Sequence, residues 1–138
     1  MKIYEKDLLE INFGNNKFDI ISIWHVLEHV QKPEEYIKKI YSLLKNNGKL
    51  LIEVPNFNAW TRKLTGKYWL GLDLEYHLYF FTPESLSTLL KKYGFKIDFV
   101  RTFSLEYSTF TSVQSLISWI TKTDHFFSSI FKKKAVKV

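Results

Sequence analysis

The sequence predicts an α/β domain, a mostly parallel sheet with flanking helices, and three observations predict it. Residues 18–24 (Phe-Asp-Ile-Ile-Ser-Ile-Trp) are apolar and rich in isoleucine, the mark of a strand covered on both faces. A second apolar run, Lys49–Val54, follows it after a segment of helical periodicity. A further helix and a third run, Phe95–Thr102, repeat the alternation. Strand, helix, strand, helix, strand belongs to right-handed crossovers and a parallel sheet.

Each element has local signals. Lys2-Ile-Tyr-Glu reads as the last residues of a strand entering a loop at Lys6-Asp7, and Asn12–Lys17 is a turn by composition. Pro33-Glu34-Glu35 opens a helix with proline in its first turn and acids near its positive end. Tyr36, Ile37, Ile40, Tyr41, Leu43 and Leu44 give it an apolar stripe, and Asn46-Asn47-Gly48 ends it as a left-handed cap would. Pro55-Asn56 stops the second strand. A long aromatic connection over 57–81 then carries Trp60, Trp69, Tyr76, His77 and Tyr79. Thr82-Pro83-Glu84-Ser85 places cap, proline and acid in helix-start order, and Gly94 closes that helix. Beyond Ser104, Val113, Leu116, Ile117 and Ile120 recur at helical spacing, and Phe126, Phe127, Ile130 and Phe131 precede Lys132–Lys134.

The bulk composition narrows the classes. With 138 residues, 46% hydrophobic and 25% charged, the chain is one globular domain at most. The absence of cysteine excludes disulfides, thiolate metal sites and cysteine nucleophiles, and suits a cytoplasmic protein. No stretch approaches the roughly 18 apolar residues that span a bilayer. The net charge of +6 is concentrated in residues 122–138, which hold five lysines and one aspartate. The basicity is a tail property, so no nucleic-acid partner is expected. The aromatic and basic tail suggests a peripheral contact with an anionic membrane.

The chemistry gathers at the end of the first run. Trp24 leads into His25, Glu28 and His29, whose i, i+3, i+4 spacing puts all three on one face if a helix begins there. Ligands sit at the carboxyl ends of strands in open α/β sheets. His25 or His29 would suit proton transfer near neutrality. His77 would serve as the polar group of an acceptor pocket lined by Trp60, Trp69 and Tyr76. The same letters also read as H-x-x-E-H, a zinc-peptidase pattern, but the third ligand it requires falls to Glu34, Glu35 or Glu84 only by default.

From Asp7 to about Lys134 the chain resembles the C-terminal part of a class I S-adenosylmethionine-dependent methyltransferase, nearest the group that includes the ubiquinone-biosynthesis O-methyltransferases. The residues that carry the resemblance are Asp7, Phe18-Asp19-Ile20-Ile21, Leu27-Glu28-His29-Val30 with Pro33, and Leu43 to Leu50. Glu53-Val54-Pro55-Asn56, Tyr76 to Thr82 and Gly94-Phe95 continue it. The resemblance implies a partial Rossmann-like fold over residues 1–104, a helical basic tail over 105–138, and methyl transfer to a small-molecule acceptor, an oxygen first. It implies Asp7 and Leu8 at the adenine, Trp24 beside the methionine moiety or in the core, and His25, His29 and His77 as catalytic residues. Some ubiquinone-pathway relatives hold a divalent metal with acid, acid and histidine at this place. Histidine replaces the first acid here, and no metal ligand is assigned.

One departure is large. The five glycines include no G-x-G pair, so the loop that lets the backbone approach the cofactor is not in the chain. The expectation is a fragment with weak or no cofactor binding and an unpaired sheet edge that invites self-association. The alternative is a non-catalytic remnant that pairs through that edge.

Overall fold

The structure, a computed structural model, describes residues 2–103 and 107–122. Two strands, β1 (Phe18–Trp24) and β2 (Leu44–Glu53), form a parallel pair joined through α1 (Pro33–Leu43). Three helices follow: α2 (Trp60–Thr65), α3 (Pro83–Lys92) and α4 (Tyr107–Thr121). No helix among the described residues is long and apolar enough to cross a membrane.

Register explains which face of the sheet is covered. Ile21 pairs with Leu50 and Ile23 with Ile52, and these half-buried side chains look toward α1. Leu50 and Ile52 pack there on a core of Leu27, Tyr36, Ile37, Phe81 and Leu90. The alternate positions, Ile20, Ser22 and Trp24 opposite Lys49, Leu51 and Glu53, lie on the other face. Ile20 is 62% exposed and Trp24 55%. The expectation that β1 is covered on both faces is therefore corrected: one face is half-buried and the other open, and Trp24 is not a core residue. The outer edge of β1 pairs with no strand among the described residues. Its backbone polar groups stay accessible to solvent, which removes the penalty that an unpaired buried edge would carry.

Other corrections follow from where backbone partners go. Lys2–Glu5 is an exposed segment rather than a strand end, because no strand lies beside it among the described residues. Helix α1 stops at Leu43, before the expected Asn46-Asn47-Gly48 cap, because Leu44 already has extended dihedrals and pairs with Phe18. Asn47, at φ 65°, is left-handed inside a bulge between the Phe18–Leu44 and Ile20–Lys49 pairs. A Cβ on Gly48 would meet the Lys45 and Phe18 carbonyl oxygens at 3.0 and 3.1 Å, so the glycine permits the close approach there.

Residues 95–102 are not a strand. They keep strand-like alternation, with Phe95 and Ile97 packed on the core, but they are held by side chains: Phe95 against Tyr41 and Asp98 against Lys49 at 2.5 Å. No backbone ladder joins them to β2 among the described residues.

Helix α3 starts as its sequence requires. The Thr82 hydroxyl accepts from the Ser85 N–H at 3.2 Å and the Ser85 hydroxyl accepts from the Thr82 N–H at 2.9 Å, a reciprocal cap. Gly94, at φ 89°, turns the chain away from it. Helix α4 packs on α2 and the short turns at 66–72, and the Ser115 hydroxyl accepts from the Leu70 N–H at 2.9 Å. Its inward residues are Thr111, Gln114, Ser115 and Ser118, whereas Val113 and Ile120 of the expected apolar stripe are exposed. The Phe126–Lys134 segment of the expected membrane contact lies outside the described residues.

Ile37 and Leu27 are fully buried. Replacing either with alanine is expected to cost about 2–5 kcal/mol, whereas Thr82→Ala costs only about 1 kcal/mol, because a cavity outweighs a lost cap. Chemical denaturation midpoints check the order.

Candidate functional site

The site forms where β1 ends. His25 takes φ 52°, a left-handed conformation that breaks the strand, and the chain makes a turn closed by the His29 N–H on the Val26 carbonyl at 3.0 Å. The expected helix over His25–His29 is absent. The Glu28 carbonyl instead accepts the N–H groups of Leu78 and Tyr79, at 2.8 and 3.2 Å, so it cannot serve a helical turn. That clasp binds the aromatic connection to the end of β1.

The clasp brings His77 to Glu28 and His29. A carboxylate oxygen of Glu28 and a ring nitrogen of each histidine lie within 4.8 Å of one another, and the two imidazole centroids are 4.7 Å apart. His29 Nδ1 is 3.0 Å from the Tyr76 carbonyl and His77 Nδ1 is 3.1 Å from the Gly71 carbonyl. A carbonyl only accepts, so each Nδ1 is the donor and each neutral ring keeps its lone pair on Nε2.

His25 stands on the other side of Glu28. Its Nδ1 donates to Glu28 Oε1 at 3.2 Å, and its Nε2 lies 3.4 Å from Glu53 Oε1 at the end of β2. The hydrogen bond to Glu28 raises the imidazole above its ordinary 6.5, with the Glu53 charge adding to it and partial burial opposing it. His25 thus lies between two carboxylates that favour its protonated form. Glu28 is 1% exposed, and its Oε2 has no hydrogen-bond partner among the described residues.

The other expected site residues are spread out. The Asp7 carboxylate accepts from the Leu9 N–H at 2.8 Å, capping a short turn at Leu8–Glu10, and from the Tyr36 hydroxyl. Tyr36 lies in the first turns of α1, so Asp7 sits beside the end of the sheet that carries His25. Leu8 packs on the core. Asp19 pairs with Lys45 at 2.9 Å on the surface. The expected aromatic pocket is not assembled as one lining. Trp69 is buried in an edge-to-face contact with Phe57 and against Gly71, while Trp60 and Tyr76 are exposed. Tyr79 donates to the Gln31 carbonyl at 3.1 Å. A shallow surface depression lined by Lys17, Tyr41 and Lys45 lies at the opposite end of the sheet from His25.

The peptidase alternative fails on its third ligand. Glu34 is engaged by Lys92 and Tyr93, Glu35 by Lys32, and Glu84 lies in the first turn of α3. The residue that joins Glu28 and His29 is His77. Nothing in the local sequence links it to them, because the clasp is a main-chain contact.

A parallel βαβ unit whose strand ends in a histidine–carboxylate cluster, covered by an aromatic connection, defines an α/β domain with a candidate site at the carboxyl end of its sheet. The chain matches the methyltransferase domain family over residues 2–99 and belongs to that family. Neither a curated protein nor a solved structure matches it.

The Asp7–Tyr36 pair gives a pH signature. Burial, then the Asp7 hydrogen bond, pushes the Tyr36 phenol up to about 12, and the same bond lowers the Asp7 carboxyl from its usual 3.8. A phenol raised on folding contributes stability below its ordinary 10.0, lost as pH climbs toward about 12. A carboxyl lowered on folding contributes stability above 3.8, lost on acidification. Absorbance titration is expected to find one tyrosine ionising near 12, and Tyr36→Phe is expected to remove it and raise the Asp7 titration measured by carboxyl NMR.

Proposed function

We propose that this methyltransferase domain serves S-adenosylmethionine-dependent methyl transfer to an oxygen of a small-molecule acceptor, with the acceptor hydroxyl placed against His29 and His77. The observation that carries the reading is the pair of imidazoles, each with Nδ1 on a carbonyl and a ring nitrogen within 4.8 Å of a Glu28 carboxylate oxygen, at the carboxyl end of β1. An acceptor hydroxyl must shed its proton as the oxygen gains carbon. A correctly oriented imidazole lone pair takes that proton near neutral pH. His25, with one ring nitrogen on Glu28 and the other beside Glu53, is suited to orienting the carboxylate.

When bound, the cofactor supplies a methyl group on an electrophilic sulfonium. The chain's residues fit it in part. The Asp7 carboxylate already takes two hydrogen bonds but keeps lone pairs for an adenine amine. Trp24 offers an exposed aromatic face at the end of β1. No G-x-G loop is present to let the backbone approach the rest of the molecule. The 138-residue chain is therefore expected to bind the cofactor weakly, with activity impaired.

Labelled-methyl transfer to phenolic acceptors at saturating cofactor tests the reading. His29→Ala and His77→Ala should each lower turnover about 10²–10⁴-fold. Phenol titration should shift the His29 and His77 imidazole signals. Unshifted imidazoles, or variants that turn over as the parent does, reject the placement.

A second reading is favoured by the open outer edge of β1 beside the exposed Ile20. We propose that two copies pair along this edge, since each supplies the same unpaired strand to the other. Analytical ultracentrifugation should then find a dimer that Ile20→Lys converts to monomer. A monomer at every concentration rejects it.

A further inference from the structure

We propose that α2 and α4, with the turns at 66–72, form a surface that seats on an anionic lipid bilayer. The inference rests on the polarity of this helix pair and is independent of methyl transfer.

The pair is built inside out. A surface helix in water buries its apolar stripe and exposes its polar one. Helix α4 does the reverse. Thr111, Gln114, Ser115 and Ser118, spaced i, i+3, i+4, i+7, are buried, while Phe110, Val113 and Ile120 are exposed. Helix α2 repeats the inversion, with Thr61 and Thr65 buried and Trp60 and Leu64 exposed, each pair at i, i+4. Of the buried polar side chains among the described residues, all but Glu28 belong to these two helices. Their hydroxyls need no water. Thr65 Oγ1 donates to the Thr61 carbonyl and Ser115 Oγ to the Thr111 carbonyl, each one turn back, and Ser115 also accepts from the Leu70 N–H. Small hydroxyl residues between helices and apolar side chains outside suit helices that face lipid.

Charge selects the partner. Residues 60–72 and 107–122 contain Arg62, Lys63, Lys67 and Lys122 and no carboxylate. Lys63, Lys67 and Lys122 form no ion pair among the described residues. Lys67 Nζ lies 5.0 Å from the Tyr68 ring centre, and Lys122 Nζ lies 5.5 Å from that ring and 5.0 Å from the Trp119 ring. Ammonium groups beside tryptophan and tyrosine rings match the boundary between lipid headgroups and acyl chains. A second copy would bring the same cations against these, and like charges oppose that contact. An anionic lipid surface supplies opposite charge and apolar depth together. With 15 residues, α4 is about 22 Å long, short of a hydrocarbon core of roughly 30 Å, so it lies in the surface rather than across it. The contact expected at Phe126–Lys134 is a separate segment outside the described residues, and α2 and α4 make this surface without it.

Co-sedimentation of the full chain with vesicles tests the surface. Phosphatidylcholine vesicles with about 30% phosphatidylglycerol should bind it at least ~10-fold more tightly than phosphatidylcholine alone. Lys67→Gln with Lys122→Gln should weaken that binding roughly 20–30-fold, about fivefold per lysine. Trp60→Ser with Ile120→Ser, at exposed positions and checked by circular dichroism for an intact fold, should weaken it at least ~100-fold. Lipids brominated in their acyl chains should quench the tryptophan fluorescence of the bound chain, and Trp60→Phe with Trp119→Phe should remove most of the quenching. No binding to anionic vesicles, equal binding to both vesicle types, or parental binding by the Trp60→Ser, Ile120→Ser chain would each overturn the proposal. A dimer that Ile120→Ser dissolves, in a chain that ignores vesicles, would overturn it in favour of a second copy.

Discussion

The two hydrogen bonds that the Glu28 carbonyl accepts from Leu78 and Tyr79 hold together everything of chemical interest in this domain. They fix the turn after β1 against a connection that would otherwise have no main-chain reason to lie there. They bury the Glu28 side chain, bring His77 alongside His29, and aim the Tyr76 carbonyl at His29 Nδ1. Main-chain bonds of this kind tolerate side-chain change. The chemistry at positions 28, 29 and 77 can therefore vary while the clasp persists.

The same contact explains what the sequence could and could not reveal. Helices α1 and α3 were legible because their starts are local: proline in the first turn of each and a hydroxyl cap at Thr82. The strand over 18–24 was legible from its apolar run, but its exposure was not. Burial is decided by which neighbours cover each face, and only the α1 side has any among the described residues. The third strand fails for a related reason. Alternation at Phe95 and Ile97 reports which side chains face the core, whereas a strand also needs a backbone partner.

The site was half legible. Spacing marked His25, Glu28 and His29 as neighbours, and they are, although through a turn rather than a helix. Their division of labour was hidden, because it depends on Glu53 reaching His25 from β2 and His77 reaching Glu28 from the far side. Asp7 shows the converse. Its neighbours in sequence predict a cap on the following turn, which it makes, while its bond to Tyr36 depends on how α1 packs.

The exposed face of the sheet and the cluster are separable parts of the molecule. Ile20, Leu51 and Trp24 lie on the uncovered side, whereas Leu27 anchors the turn that bears Glu28 in the core on the covered side. Contact along the outer edge of β1 would thus leave the 76–80 segment and its histidine in place. The turn depends on Leu27, Tyr36, Ile37, Phe81 and Leu90, and on the α1–α3 contacts secured by Lys92 and Tyr93 on Glu34. A two-stranded sheet alone would be only marginally stable in water. Here the stability that holds the cluster comes from the helices packed behind it, so the geometry of Glu28, His29 and His77 is set by the α1–α3 core rather than by the width of the sheet.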